Sequence, residues 1–360
     1  MVSIWRWADW IEPVAPEARI SLGEGSTPLI RSQVIGPQAG LQNLFFKLES
    51  TNPTGSFKDR FAAAAISHMR AAGRSRCLAT SSGNTGSAVA AYAAAAQLDC
   101  HIAVVETAPQ GKLQQMMAYG ANVFRVRGFG LDPALSVSTF QTLQRLGQQP
   151  DAALQISSYI YSAAGMTGVE TISFELHAQQ ELPIEHVFCP AGGGGLCVAV
   201  ARGFATLARV GERPQGPAVH CVQPEGNDTM AGPLRRGAAA AQEVTCTTRI
   251  SGLQVPNIND GHLVVQECRP TGGTGHLVRD DRVWELQGQL ARQEGIFTEP
   301  AGAVALAGAL QAAQEGLVEA SAPVVCLVTG SGFKDEEAVA RMLDEADCPM
   351  IEENQLETVV

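Results

Sequence analysis

Short apolar runs rich in β-branched residues alternate along most of this chain with alanine-rich segments of helical length, and Gly, Ser or Asn separates them. This alternation is typical of β-α-β units, which build a mostly parallel sheet covered by helices. The clearest predicted strands are 44–48, 77–80, 101–105, 123–126, 186–189, 218–222 and 324–329. The clearest predicted helices are 60–72, 87–97, 111–120, 196–210, 282–294 and 301–315. The sequence therefore predicts the α/β class.

Two turns divide the 360 residues in a way that predicts two domains. The turns, near 52–55 and 148–152, enclose about a hundred residues of regular β-α alternation. Chains of this length usually form about two domains. We therefore predict a small domain at 51–149, inserted into a larger one formed by 1–50 and 150–360.

Composition excludes several classes of partner. The net charge of -11 offers no general attraction to a phosphate backbone, so nucleic acid is not expected. No apolar run approaches the ~18–20 residues that cross a bilayer, and the N-terminus lacks a signal pattern, which predicts a cytoplasmic protein without a membrane partner. The nine cysteines and seven histidines lack metal-ligand spacing, so no metal site is expected.

The chain has only four lysines: Lys47, Lys58, Lys112 and Lys334. Lys58 lies in the segment NPTGSFKDR at 52–60, where a turn delivers it to the start of a predicted helix. The positive end of the helix dipole favours a neutral amine, the form that makes an imine (Schiff base) with a carbonyl. The alternative is an exposed lysine in a capping turn. The other three are interpreted as solvent-facing or surface residues.

Three loops follow predicted strands and carry groups suited to ligand binding. The first, TSSGNTG at 80–86, offers hydroxyls, an amide and helix-start N–H groups to a carboxylate, although such residues also form ordinary N-cap loops. The second, PAGGGG at 190–195, can close backbone N–H groups around one phosphate. It lacks the third glycine of a dinucleotide site and the lysine of a P-loop. The third, VTGSGFKD at 328–335, places a hydroxyl at a strand end.

An imine-forming lysine, a monophosphate loop, a carboxylate loop and a hydroxyl for a ring nitrogen together indicate pyridoxal 5'-phosphate as cofactor. The chain resembles the tryptophan synthase β-like superfamily (fold type II) of pyridoxal-phosphate enzymes, and within it the threonine synthase family. The resemblance rests on LGEGSTPL at 22–29, NPTGSFKDR at 52–60, SSGNTG at 81–86, PAGGGG at 190–195, GIFTEPAGA at 295–303 and TGSGFKD at 329–335. It implies two open, mostly parallel sheets wrapped by helices, with a small domain inserted in a larger one.

The resemblance also implies roles for the matched residues. Lys58 would form the imine and then move protons as base and acid, and Phe57 would pack on the cofactor ring. Asn84 would hydrogen-bond the cofactor's 3' oxygen. The phosphate would be held by Gly192, Gly193, Gly194 and Gly195, and Thr329 would face the pyridine nitrogen. The carboxylate of a small amino-acid substrate would be bound by Ser81, Ser82 and Thr85.

One departure from the threonine synthase pattern bears on the substrate. These enzymes usually carry an Arg, in a segment of the type NPHRLEG, for the substrate's phosphate, whereas Gly165 stands at that position here and Ser331 replaces a usual His. A dianionic group needs fixed positive charge or oriented donors. Arg60, Arg125 or Arg127 are the alternative sources of charge.

We therefore expect elimination or replacement at the β or γ carbon of a small amino acid, of threonine synthase type, converting O-phosphohomoserine to threonine or using a related substrate. The alternatives are a cysteine synthase-like β-replacement on an activated serine, a serine/threonine ammonia-lyase, or a noncatalytic relative that keeps the fold. The resemblance further implies a homodimer.

Overall fold

A computed structural model describes residues 3–343 and 346–359. Its strands are β1 (Leu29–Arg31), β2 (Leu44–Leu48), β3 (Arg76–Ala79), β4 (Asp99–Val104), β5 (Asn122–Arg125), β6 (Ala152–Gln155), β7 (His186–Pro190), β8 (Ala218–Pro224), β9 (Gly275–Val278) and β10 (Val324–Val328). Its α-helices are α1 (Ile35–Gln38), α2 (Lys58–Ala71), α3 (Asn84–Ala95), α4 (Gln110–Ala118), α5 (Pro133–Gly147), α6 (Tyr159–Gln179), α7 (Gly195–Arg209), α8 (Ala231–Arg235), α9 (Gly261–Cys268), α10 (Asp280–Glu294), α11 (Pro300–Gln314), α12 (Glu336–Met342) and α13 (Leu356–Val359).

The strands form two separate sheets. Six strands lie in the order β1-β2-β10-β7-β8-β9, and four in the order β5-β4-β3-β6. Every pairing is parallel except that of β1 with β2. The prediction of an α/β fold with two mostly parallel sheets wrapped by helices is confirmed.

The four-stranded sheet lies inside the chain segment that links two parts of the six-stranded sheet. β3 pairs with β4 on one side and with β6 on the other. β6, at Ala152–Gln155, comes just after the predicted end of the small domain at 149. The domain limits themselves stay a prediction.

Strand burial explains why continuous apolar runs in the sequence predicted the strands. All five residues of β10, VVCLV, are buried, and this strand lies between β2 and β7. Parallel strands covered on both faces read as continuous apolar runs. The predicted elements therefore match the observed ones within a few residues at each end; α2, for example, begins at Lys58, two residues earlier than predicted.

Helix α6 was not predicted, although it spans 21 residues. It packs against both α2 and α7, so apolar and small residues occur on most of its sides. A helix buried all round has no 3.6-residue alternation of apolar and polar positions, and that alternation is the signal for a surface helix. Its backbone also departs from helical geometry at Ser162, with φ of -139° and ψ of 58°.

A buried ion network joins β2, α2 and α6. The Arg60 guanidinium contacts the carboxylates of Glu49 and Glu175, each at 2.7 Å, and the Lys47 amine lies 2.7 Å from Glu175. Both Lys47 and Arg60 have no exposed side-chain surface. The interpretation of Lys47 as a solvent-facing strand residue is therefore wrong.

Within 3–343 and 346–359, no helix is both long and apolar enough to cross a membrane.

Candidate active site

A cavity of about 990 Å³ brings together loops that follow strands of both sheets. Its wall includes the residues after β3, β7 and β10, which are carboxyl ends of parallel strands, where open α/β sheets bind ligands. All the residues predicted for cofactor and substrate line this one cavity: Phe57, Lys58, Ser81, Ser82, Asn84, Thr85, Gly192, Gly193, Gly194, Gly195 and Thr329. Their individual roles stay predictions.

Lys58 is the first residue of α2, and its half-buried side chain points into the cavity. Its Nζ donates a hydrogen bond of 2.6 Å to Ser157 Oγ, which lies 3.0 Å from Thr85 Oγ1. Burial lowers the pKa of Lys58 to about 8, against the raising effect of Asp260 and Glu299. Near neutral pH the neutral form of the amine, which imine formation requires, is therefore far more populated than in an exposed lysine.

The segment TSSGNTG at 80–86, which we call the hydroxyl loop, leads directly into α3, whose first residue is Asn84. Ser81, Ser82 and Thr85 are half-buried around the start of this helix, where free N–H groups also point outward. Asn84 Nδ2 donates to Glu299 Oε1 at 2.8 Å. Burial raises the pKa of Glu299 to about 7, although Lys334 and the bond from Asn84 lower it. The loop thus offers hydroxyl and N–H donors suited to a carboxylate.

The segment PAGGGG at 190–195, which we call the glycine loop, joins β7 to α7. Two features require glycine at Gly194. Its φ is +94°, and a Cβ atom there would lie 2.7 Å from Val264 Cγ2. A side chain is therefore excluded both by backbone conformation and by space. The loop ends at the N-terminus of a 15-residue helix, so its N–H groups face the cavity at the positive end of a helix dipole. This arrangement fits a phosphate group.

Thr329 supplies a direct test of whether the cavity fits pyridoxal phosphate. Its side chain is 4% exposed, and its Oγ1 has no hydrogen-bond partner among the described residues. A buried hydroxyl without a partner costs free energy, so a ligand heteroatom at this point would be stabilising. A pyridine nitrogen is such a group, and we conclude that the residues present fit the cofactor.

Two residues that act on Lys58 were not predicted from the sequence: Ser157, which lines the cavity, and Asp260, which is buried behind the cavity residue Ser158 and does not itself line the cavity. Ser157 follows β6 in a stretch with no recognisable motif. Asp260 accepts hydrogen bonds from Ser158 Oγ at 2.8 Å and Tyr159 N at 2.9 Å, and so holds the start of α6. Its position depends on contact between segments a hundred residues apart, which no local pattern reports.

Lys112 and Lys334 also line the cavity, which corrects their interpretation as surface residues. Lys112 lies in the first turn of α4, and Lys334 is the last residue of a short 3-10 helix after β10. Lysines in such places are usually exposed to solvent. In the folded chain these two turns face each other across the cavity wall, because the Lys334 amine reaches Gln115 on α4.

Comparisons with known proteins agree with this geometry. The family model "Pyridoxal-phosphate dependent enzyme" matches residues 20–330. The chain belongs to this family. The threonine synthase of Methanocaldococcus jannaschii is 31% identical over 348 residues, which cover 96% of this chain and 84% of that protein. The threonine synthase of a Synechocystis species is 32% identical, covering 94% of this chain and 86% of that protein.

Solved structures of the pyridoxal-phosphate family share the fold. Threonine deaminase isoform 2 from Solanum lycopersicum superposes with a TM-score of 0.75 at 20% identity, covering 95% of this chain and 88% of that one. Serine racemase from Dictyostelium discoideum gives 0.69 at 24% identity, covering 91% and 96%. Family membership confirms the predicted cofactor, the predicted fold type and the resemblance to threonine synthases, and the chain is a pyridoxal phosphate-dependent lyase.

Gly165 occupies a closed position in this member of the family. A Cβ atom there would lie 2.8 Å from both Ala65 Cβ and Phe61 Cε2, because α6 packs tightly on α2 at this point. Gly165 is not among the residues that line the cavity. A longer side chain at this position would require the two helices to separate. The arginine side chain that carries the positive charge in the threonine synthase pattern could therefore not be accommodated at this position.

We expect Gly194→Ala to weaken binding of pyridoxal phosphate by roughly tenfold, because left-handed backbone geometry costs an alanine about 1–2 kcal/mol and the methyl group meets Val264. Spectrophotometric titration of the apoprotein measures this. Gly211→Ala is the matched control, since Gly211 also has a positive φ (+82°) but no atom within 4 Å of the position that its methyl group would take. Equal cofactor affinity in both variants would contradict a phosphate-binding role for the glycine loop.

Proposed function

We propose that this enzyme eliminates or replaces the β or γ substituent of a small amino acid, with O-phosphohomoserine as the first candidate substrate and threonine as its product. The observation that carries the proposal is the convergence of Lys58, the hydroxyl loop, the glycine loop and Thr329 on one cavity. The similarity to threonine synthases along nearly the whole chain supports the choice of substrate.

Pyridoxal phosphate, when bound, supplies an aldehyde for an amine and an electron sink for the α carbon of an amino acid. In the proposed reaction Lys58 is the residue that would hold the cofactor through its amine and would then move the proton between carbon atoms of the substrate. Ser157, 2.6 Å from the Lys58 amine, orients that group. Because burial lowers the pKa of Lys58, the amine can both accept and return a proton near neutral pH.

The hydroxyl loop orients the substrate in this proposal. Ser81, Ser82 and Thr85 donate to the substrate carboxylate together with N–H groups at the start of α3. Asn84, which donates to Glu299 and lies in the same loop, is the residue that would hydrogen-bond the cofactor's 3' oxygen. Fixing the carboxylate sets the angle at which the α proton meets Lys58.

The closed position of Gly165 favours a second candidate function. Without an arginine on α6, a γ-phosphate loses its usual donor, so an activated serine or another β-substituted amino acid becomes the alternative substrate.

From the family resemblance alone, we also propose a cytoplasmic homodimer with a small domain at 51–149. Sedimentation equilibrium tests the dimer.

Release of inorganic phosphate from O-phosphohomoserine tests the first candidate. The expected result with the cofactor-loaded enzyme is one phosphate and one threonine for each substrate and water consumed. If phosphate is not released while the cofactor stays bound, the first candidate is wrong. Pyruvate or a substituted alanine formed from O-acetylserine under the same conditions would then support the second.

A further inference from the structure

Three of the four lysines line the active-site cavity, and only Lys58 is assigned to the cofactor. Lys112 lies on α4, and Lys334 lies in the turn after β10. The fourth, Lys47, belongs to the buried ion network. Every lysine of the chain that is not held in that network therefore faces the space where a substrate would bind.

Within the described residues, neither cavity lysine donates a hydrogen bond to a carboxylate, although Lys112 forms a loose ion pair with Asp335. The Lys334 amine donates to the neutral amide oxygen of Gln115 at 2.6 Å, and within the described residues no carboxylate oxygen lies within 4.0 Å of it. Lys112 donates to Ser251 Oγ, and its nearest carboxylate, that of Asp335, is 3.6 Å away. Burial lowers the pKa of Lys334, and the carboxylates of Glu299 and Asp59 offset this effect only in part. An anion bound at this wall would stabilise the ammonium further.

The acidic residues of the cavity compensate the two ammonium groups only in part. Glu299 hydrogen-bonds Asn84, and its pKa of about 7 leaves it partly neutral. Asp335 caps α12 by accepting from Ala338 N at 3.1 Å. Glu336 and Glu337, at the start of α12, are exposed to solvent.

The arginines considered from the sequence are not free to bind a substrate's anionic group. Arg60 is enclosed by Glu49 and Glu175. Arg125 donates to the carbonyl oxygen of Ala108 at 2.9 Å, and neither it nor Arg127 lines the cavity. Arg249 and Arg341 do line the cavity, but their guanidinium groups stack on the ring of Trp284, 5.0 and 3.9 Å from its centroid. The two lysines are therefore the candidates to replace the charge absent at Gly165.

We propose that Lys334 and Lys112 form a subsite for an anionic group, a phosphate ester or a carboxylate, on the side chain of the substrate. The proposal rests on the proposed function for the orientation of the amino acid. Two ammonium groups on the same part of the cavity wall would bind such a group by charge-assisted hydrogen bonds, with Gln115 holding the Lys334 amine in place. The subsite selects substrates by side-chain charge.

Lysine footprinting of the cofactor-loaded enzyme tests the subsite through a readout that does not depend on turnover. The amines are acetylated with and without O-phospho-L-serine, L-glutamate or uncharged L-serine, and each lysine is quantified by mass spectrometry. We expect a fall of about tenfold in modification of Lys334 and Lys112 with an anionic ligand only. Lys47, fully buried, is the internal unreactive control. Comparing the phosphorylated and dicarboxylic ligands shows which anion is preferred. Equal modification with charged and uncharged ligands overturns the subsite.

Kinetics provide the second arm. The ratio of kcat/KM for O-phosphoserine over O-acetylserine is expected to fall about tenfold in Lys334→Met and in Lys112→Met, and to stay unchanged in the exposed control Arg145→Met. An unchanged ratio in both lysine variants overturns the subsite. Protection of the lysines without turnover of any substituted amino acid would support the subsite and refute the proposed function. Turnover of a substituted amino acid, with neither protection of the lysines nor a change in the kcat/KM ratio, would support the proposed function and refute the subsite.

Discussion

Replacing Lys58 by alanine is expected to lower turnover by at least about 10³-fold, because the variant loses both the amine that holds the cofactor and the group that moves the α proton. The visible absorbance of the lysine-bound cofactor should disappear at the same time. The phosphate-binding glycine loop is left intact, so weak binding of free pyridoxal phosphate should persist. Steady-state turnover and an absorbance spectrum of the dialysed protein measure the two effects.

Lys58→Arg is the matched control for this prediction. It keeps a positive charge near Asp260 and Glu299 but cannot form an imine, so it should be as inactive as the alanine variant. Circular dichroism establishes that both variants fold. Retention of the visible band and of turnover in Lys58→Ala would exclude Lys58 as the cofactor-linked residue, and it would also exclude the proposed mechanism.

The Arg60→Met variant is expected to lose about 3–5 kcal/mol of unfolding free energy, because it leaves the carboxylates of Glu49 and Glu175 buried without their main partner. This is a large part of the roughly 5–15 kcal/mol that stabilises a typical domain. Of these two carboxylates, the remaining cation, Lys47, contacts only that of Glu175. Denaturant unfolding of the cofactor-free protein, monitored by fluorescence and circular dichroism, measures the loss.

An exposed ion pair serves as control for Arg60. Arg235 lies 2.9 Å from Glu315, with side chains 44% and 31% exposed, and Arg235→Met should change the unfolding free energy by less than about 1 kcal/mol. Similar losses in both variants would refute a special stabilising role for the buried network.

The same network predicts how stability depends on pH. Burial raises the pKa of Glu175, but Arg60 and Lys47 outweigh this effect and hold it at about 2, below its ordinary value of 4.5. Its contribution to stability is therefore present above the unfolded pKa and is lost as the pH falls towards about 2.

Comparing the predicted elements with the observed ones shows where sequence signals are local. The strand predicted at 44–48 is β2 at the same bounds, and the helix predicted at 301–315 is α11 at Pro300–Gln314. Such elements carry continuous apolar runs or good helix formers, with a turn or cap at the end. Helix α6 carries no such signal, since neighbours on several sides bury it.

By itself, the sequence determined the fold class, the cofactor and four of the segments that line the cavity, at 52–60, 80–86, 190–195 and 328–335. It did so because hydrophobic period, glycine runs and hydroxyl clusters at strand ends are properties of short segments. Only the tertiary structure decided that Gly165 is closed by Phe61, that Arg60 is enclosed by carboxylates, and that Lys112 and Lys334 share one wall. These facts depend on contacts between residues far apart in the chain, and side-chain surroundings set by such packing leave no pattern in the neighbouring sequence.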